Sequence, residues 1–230
     1  MRNIGEKVPR AVQAFENRTE AGQRLAEFLT VEKDNWAVLA IPRGGVLVAA
    51  PVAKAFNAPL ELAFCRKLPI PASPEAGFGA VALDGSVILN DRMVRRAGLR
   101  SDEIERIKKN VLKEVRRRAQ VYPMGNSFDA EDKNLLLVDD GLATGYTMIA
   151  AAQMARGMRP RSLTLAVPAS PSDSLDRVEP YFDDVYCMFR QTELPFAVAA
   201  YYREFPDLED EQVAAAIEKA KSAGQKPRGG

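Results

Sequence analysis

The chain contains no histidine, and that absence removes several chemistries at once. Ser-His-Asp and Cys-His hydrolysis, imidazole acid/base catalysis and His-ligated zinc all need a residue that is not there. Cysteine is scarce too: Cys65 and Cys187 are the two, both in apolar stretches and without Cys-x-x-Cys or metal-type spacing. They are expected as buried, reduced thiols. With 32 basic and 31 acidic residues the formal net charge is +1, so no global electrostatic case exists for nucleic acid or an anionic membrane as partner. No apolar run reaches transmembrane length, and Met1 to Arg10 lacks the apolar core of a signal peptide. A cytoplasmic protein with no membrane partner is therefore the expectation.

What is present is an α/β alternation. Apolar positions at helical spacing run from Thr19, a candidate N-cap, to Leu29, and the continuous apolar run Trp36 to Ile41 fits a strand covered on both faces. Pro42-Arg43-Gly44-Gly45 and a helical pattern to Phe56 follow. Leu60 to Cys65 reads as a strand ending in the basic pair Arg66-Lys67, and the Pro- and Gly-rich stretch Leu68 to Gly85 as a loop or hairpin. A short helix over Asp91 to Ala97 and a longer one capped by Ser101 come next; the second has an apolar stripe and a basic opposite face, Arg106 to Arg118. Beyond a polar linker, Gly125 to Asn134, strands are predicted at Leu135 to Val138, Leu163 to Val167 and Asp184 to Phe189. Helices are predicted after Gly145, after Ser170-Pro171 and from Glu209 to Ala220. Such alternation predicts a parallel sheet flanked by helices.

The chemistry concentrates at Leu135-Leu136-Leu137-Val138-Asp139-Asp140-Gly141-Leu142-Ala143-Thr144-Gly145-Tyr146-Thr147-Met148. A strand runs into two adjacent acids, a glycine-containing loop with two threonines, and a helix start. Loop amides and a helix N-terminus suit a phosphate, whereas two carboxylates repel one and suit sugar hydroxyls or a metal beside it. A phosphorylated sugar has both parts. A phosphate-loop nucleoside triphosphatase is disfavoured because no Gly-x-x-x-x-Gly-Lys-Ser/Thr occurs, and Gly77-Phe78-Gly79 lacks the strand before and the helix after that a dinucleotide fingerprint requires.

Val138 to Thr147 resembles the phosphoribosyl pyrophosphate (PRPP) motif of type I phosphoribosyltransferases. From Phe15 to about Val213 the chain is similar to a prokaryotic group of that family, through Phe15-Glu16-Asn17-Arg18 with Ala21-Gly22, Ile41 to Gly45, Arg66-Lys67, and Phe196-Ala197-Val198 with Tyr201-Tyr202. The resemblance implies a type I phosphoribosyltransferase-like parallel sheet with an inserted flexible loop and helical segment (68–122) and a small hood (190–210). On this reading residues 1–14 are an arm, 15–222 the domain and 223–230 a mobile tail.

The resemblance also implies roles. Asp139 and Asp140 would hold the ribose hydroxyls and, indirectly, Mg2+. Gly141, Ala143, Thr144, Gly145, Tyr146 and Thr147 would bind the 5′-phosphate. Arg43, Gly44, Gly45, Arg66 and Lys67 would bind pyrophosphate, in a loop that in such enzymes often has a non-proline cis peptide. Asp139, Asp140, Arg43 and Lys67 would serve catalysis, and Phe196, Val198 and Tyr201 would meet an acceptor, a nitrogenous base. The family also implies a homodimer. The alternative is a PRPP- or nucleotide-sensing regulator that keeps the fold and uses its basic helix to grip RNA or DNA.

Overall fold

The computed structural model describes residues 2–32, 34–71, 73–122 and 129–224. In chain order these form β1 (Arg2–Val8), α1 (Arg18–Phe28), β2 (Trp36–Ala40), α2 (Gly44–Phe56) and β3 (Leu60–Leu62), followed by β4 (Cys65–Ile70), β5 (Ser73–Ala82), β6 (Val87–Leu89), α3 (Asp91–Arg96) and α4 (Ser101–Ala119). The remainder is β7 (Asn134–Val138), α5 (Tyr146–Gly157), β8 (Ser162–Pro171), α6 (Ser172–Val178), β9 (Asp184–Gln191) and α7 (Asp210–Gly224).

The buried strands read as continuous apolar runs because both faces of the sheet are covered. In β7, Leu136 and Val138 join the core beneath α1 and α2, while Leu135 and Leu137 join the one beneath α5. The main sheet has the order β1-β9-β8-β7-β2-β3, with every pairing parallel. From β2 the chain winds outward to β3; from β7 it winds the other way, through β8 and β9. The reversal falls between β2 and β7, and a crevice opens at the carboxyl ends of strands at such a switch point. Both glycine loops singled out in the sequence leave from there.

Several expectations need correction. The segment expected as an N-terminal arm, 1–14, instead supplies β1, an edge strand paired with β9 in parallel register from Arg2↔Val185 to Val8↔Gln191. It has few apolar residues to signal a strand; main-chain pairing to a preformed edge orders it. The single strand Leu60 to Cys65 is two. Ala63 N still donates to Ala40 O at 2.8 Å, but Phe64 O accepts from Leu83 N at 2.9 Å, so the chain leaves the parallel sheet at that point.

The stretch Leu68 to Gly85 is the hairpin alternative, the centre of an antiparallel sheet β4-β5-β6 whose register is irregular around Pro69. Helix α1 is capped by Asn17, not Thr19: Asn17 Oδ1 accepts from Glu20 N at 3.1 Å, and Glu20 Oε2 from Glu16 N at 2.9 Å. Similarly α4 is capped one residue earlier than Ser101, where Glu103 Oε2 accepts from Arg100 N at 3.0 Å. Residues 123–128, in the polar linker, and 225–230, in the expected tail, lie outside the described residues; residues 223 and 224 complete α7. Cys187 is buried and donates through Sγ to Phe189 O at 3.3 Å, whereas Cys65, expected to be buried, is half-buried, because it sits where the chain leaves the parallel sheet. Neither is in a disulfide, and the surroundings of Cys65 push its thiol far above its ordinary range. Among the described residues no helix is long and apolar enough to cross a membrane.

Candidate active site

Strand β2 ends at Ala40, and the chain turns through Ile41-Pro42 into a cis Pro42–Arg43 peptide before α2 begins at Gly44. The neighbouring strand β7 delivers Asp139 and Asp140 beside that turn. Contact is close enough to dictate glycine: a Cβ on Gly44 would overlap Asp140 Oδ2, and one on Gly45 would lie 2.9 Å from Val138 O. The two loops are therefore one surface.

Past the acids, Gly145 adopts φ 83° and starts α5, and a Cβ there would meet Val178 Cγ1 at 2.7 Å. The outward carbonyls of the loop are taken. Ser174 Oγ donates to Ala143 O at 2.6 Å, and Arg177 Nη1 to Thr144 O at 2.7 Å. The first-turn amides of α5 have no intrahelical acceptor and carry the positive end of the helix dipole. Ala143 and Thr144 are exposed, and the whole loop lines a cleft of about 440 Å³. Asp139 lies on the same wall, while Lys67, Gly77, Gly79, Asn90 and Met93 from the inserted sheet and α3 form the wall opposite.

The two acids are electrostatically unequal. Asp140 is held by Arg18, Nε to Oδ2 at 2.8 Å, with side-chain exposures of 8% for the arginine and 15% for the acid. Arg18 also donates through Nη1 to Pro206 O at 2.9 Å and stacks its guanidinium 3.6 Å from the Phe205 ring centroid. Tyr202 Oη donates to Asp140 O at 2.6 Å. Burial raises the Asp140 carboxyl above the usual range, and the ion pair with Arg18 works against that rise. Among the described residues Asp139 has no such partner; its Oδ1 accepts from Asp140 N at 2.9 Å. Burial, and then the adjacent Asp140 charge, lift Asp139 well above an ordinary carboxyl.

Of the residues expected at the site, Asp139, Gly141, Ala143, Thr144, Gly145, Tyr146, Thr147 and Lys67 line the cleft; Arg43, Gly44, Gly45 and Asp140 do not, Gly44 lying against Asp140, Gly45 against Val138 and Asp139, and Arg43 Nη1 lying 4.0 Å from Asp210 Oδ1. Arg66 is separated from Lys67. Successive strand residues point to opposite faces, so Lys67 enters the cleft while Arg66 turns toward α4 and lines a small cavity with Pro42, Cys65, Arg118 and Tyr122. In the hood, Phe196 borders a second cavity of about 340 Å³ that shares Asn90, Ala143, Thr144 and Tyr146 with the first. Val198 packs over Gly141, where an added Cβ would come 2.6 Å from Val198 Cγ1.

Tyr201 does not fit its expected role in meeting an acceptor. It is fully buried and donates to Gln191 Oε1 at 3.1 Å, so it supports the hood from beneath. Sequence reasoning gave no role to Arg18, Tyr202, Ser174 or Arg177. Their signal was faint, because each acts on a partner at least 31 residues away.

This arrangement of a parallel sheet, a glycine loop with a cis peptide, and an acid pair leading into a helix N-terminus defines a doubly covered α/β protein with its candidate site at the switch point. Residues 82–203 match the model of the phosphoribosyl transferase domain, and the chain belongs to that family. Two Mycobacterium tuberculosis proteins, from strains CDC 1551 and H37Rv, whose names assign them provisionally as phosphoribosyl transferases, are each 38% identical over 211 residues, 91% of this chain. The aligned part is 47% of each of them, so the chain spans about half the length of these relatives. The crystal structure of the Thermus thermophilus protein TT1426 is similar over 90% of this chain and 98% of that one, at 31% identity and a TM-score of 0.71.

Proposed function

We propose that the chain transfers the 5-phosphoribosyl group of PRPP to a nitrogenous acceptor and releases pyrophosphate. The observation that carries this reading is the meeting of two glycine loops and an acid pair at one switch point, Gly44 lying against Asp140 and Gly145 preceding α5. A simple sugar phosphate needs one such loop; a donor with phosphate at one end and diphosphate at the other needs both. The 5′-phosphate sits on Ala143 to Thr147 at the α5 N-terminus. The ribose hydroxyls donate to Asp139 and to the Asp140 oxygen not taken by Arg18. The diphosphate lies along Arg43 to Gly45, with Lys67 across the cleft supplying charge-assisted hydrogen bonds.

In the reaction the acceptor nitrogen forms a bond to C1′ while the C1′–O bond breaks. The bonding pair leaves with pyrophosphate, and the acceptor nitrogen loses its proton. Positive charge develops on the ribose ring, close to Asp139 and Asp140, and negative charge on the leaving group, beside the guanidinium and ammonium groups. Positioning and electrostatic stabilisation supply the acceleration, which is why a chain without histidine suffices. Magnesium fits this donor set, since the cleft acids offer hard oxygen ligands; bound to donor oxygens, it would neutralise diphosphate charge. The cavity beside Phe196 and the phosphate loop is the place for the acceptor.

Thermal stabilisation by PRPP with magnesium, and by ribose 5-phosphate, tests the reading. Both shifts are expected in the wild type and absent from a folded Asp139→Asn, Asp140→Asn variant. If neither ligand moves the melting temperature of the wild type, the proposal is wrong.

A further inference from the structure

The cavity of about 340 Å³ beside the phosphate loop has hydrogen-bonding walls unlike those of the donor cleft. On its hood side the donors are already committed to the protein. Ser172 Oγ donates to Gln191 O at 3.0 Å and Thr192 Oγ1 to Val8 O at 3.3 Å. Gln191 Nε2 donates to Glu193 O and, at 2.8 Å, to Pro195 O, while Gln191 Oε1 accepts from Tyr201 Oη. The main-chain amides go the same way, Thr192 N to Val8 O at 2.9 Å and Glu193 N to Pro9 O at 3.0 Å. The donors that stay available, from Asn90, Thr144 and Tyr146, are on the wall shared with the donor cleft, where phosphate oxygens are the partners.

Two carboxylates on the cavity walls are not engaged in this way. Asp173 is exposed in the first turn of α6 and makes no hydrogen bond or ion pair among the described residues. Glu193 meets Arg10, Nε to Oε2 at 3.4 Å, with both side chains more than half exposed, so water screens the attraction. The lining cation, Arg177, is turned away: its Nη1 donates to Thr144 O and Ser174 Oγ, and its guanidinium lies 5.4 Å from the Tyr146 ring centroid. A first-turn acid also stabilises its own helix through the dipole. That role accounts for Asp173 alone, since Glu193 lies in no helix.

We infer that Asp173 and Glu193 select the acceptor, a nitrogenous base bearing exocyclic amino groups and not a carboxylated ring. This rests on the PRPP reading above, which places an acceptor here but gives it no charge class. Two carboxylates beside an anionic donor make a negative field, so a second anion is repelled. Amino N–H groups instead find the acceptors that this wall leaves open, in charge-assisted hydrogen bonds. Phe196, half-buried on the same wall, offers a ring to a planar base.

The test is PRPP-dependent pyrophosphate release, with magnesium, for adenine, guanine and cytosine against orotate, nicotinate and quinolinate. At least one amino-bearing base should exceed every carboxylated ring in kcat/KM by about tenfold or more. Asp173→Asn with Glu193→Gln should raise the KM for that base by at least about tenfold and leave the KM for PRPP unchanged. Asp173→Glu with Glu193→Asp should recover part of the loss, which separates charge recognition from a role confined to holding α6. Carboxylated rings used as well as the amino-bearing bases, an acceptor KM unmoved by the double variant, or release with neither set would each overturn the inference. A melting-temperature shift with PRPP that persists in those cases leaves the donor reading intact; its absence removes both.

Discussion

Arg18→Met is the most exacting perturbation, because it removes one member of a nearly buried ion pair while keeping an apolar side chain against Phe205. The pair is short, 2.8 Å, and its side chains are 8% and 15% exposed, so solvent screening gives little relief. Breaking a buried pair from one side costs about 3–5 kcal/mol, because the remaining charge is left uncompensated. Set against a total stability of about 5–15 kcal/mol, that is a large share. For a chain of this size each kcal/mol moves the melting temperature by about 2–4 °C, so a fall of about 6–20 °C is expected.

The sign with pH follows from Asp140. Arg18 opposes the rise that burial imposes on this carboxyl, so its loss lifts the group further. The variant's deficit should be greatest at about pH 8 and shrink at about pH 5, where the orphaned acid takes up a proton. Differential scanning calorimetry at both values measures this directly. A second substitution, Asp140→Asn, should restore part of the loss by removing the unpaired charge. A variant melting within about 2 °C of the wild type at both pH values would refute the assignment of Arg18 as the partner that holds Asp140.

Two further outcomes are expected. Asp139 has a raised folded-state pKa, so its stabilising contribution is complete below the ordinary value of about 3.9 and is lost as pH rises through the folded value. Asp139→Asn should therefore raise the melting temperature at about pH 8, with the gain fading toward about pH 4, while abolishing the shift produced by ribose 5-phosphate. A variant less stable than the wild type throughout would contradict this. Gly145→Ala forces a side chain into the left-handed region and toward Val178 Cγ1 at 2.7 Å, so we expect about 1–3 kcal/mol of destabilisation and a weaker phosphate site. Denaturant unfolding and a ribose 5-phosphate titration check both parts; an unchanged midpoint would remove the strain argument.

By itself the sequence determined the parallel α/β plan, because buried strands and amphipathic helices leave unmistakable periodicities. It also marked the Asp139-Asp140 pair and the loop that follows as one candidate site, because they are neighbours in the chain. Asp139 to Thr147 span nine consecutive positions, and their geometry follows from a strand ending where a helix starts. The edge strand β1 was illegible because its order comes from hydrogen bonds to β9 and not from its own apolar pattern.

Tertiary structure alone decided how those groups are held and tuned. Arg18 meets Asp140 across 122 residues of chain, and Tyr202 meets it across 62, so no local pattern could join them. It also parted Arg66 from Lys67, sending adjacent cations to opposite faces of β4, one into the cleft and one toward Glu114 and Arg118. Charge identity is written in sequence, but the field around a charge depends on burial and on partners that only folding brings within a few ångströms.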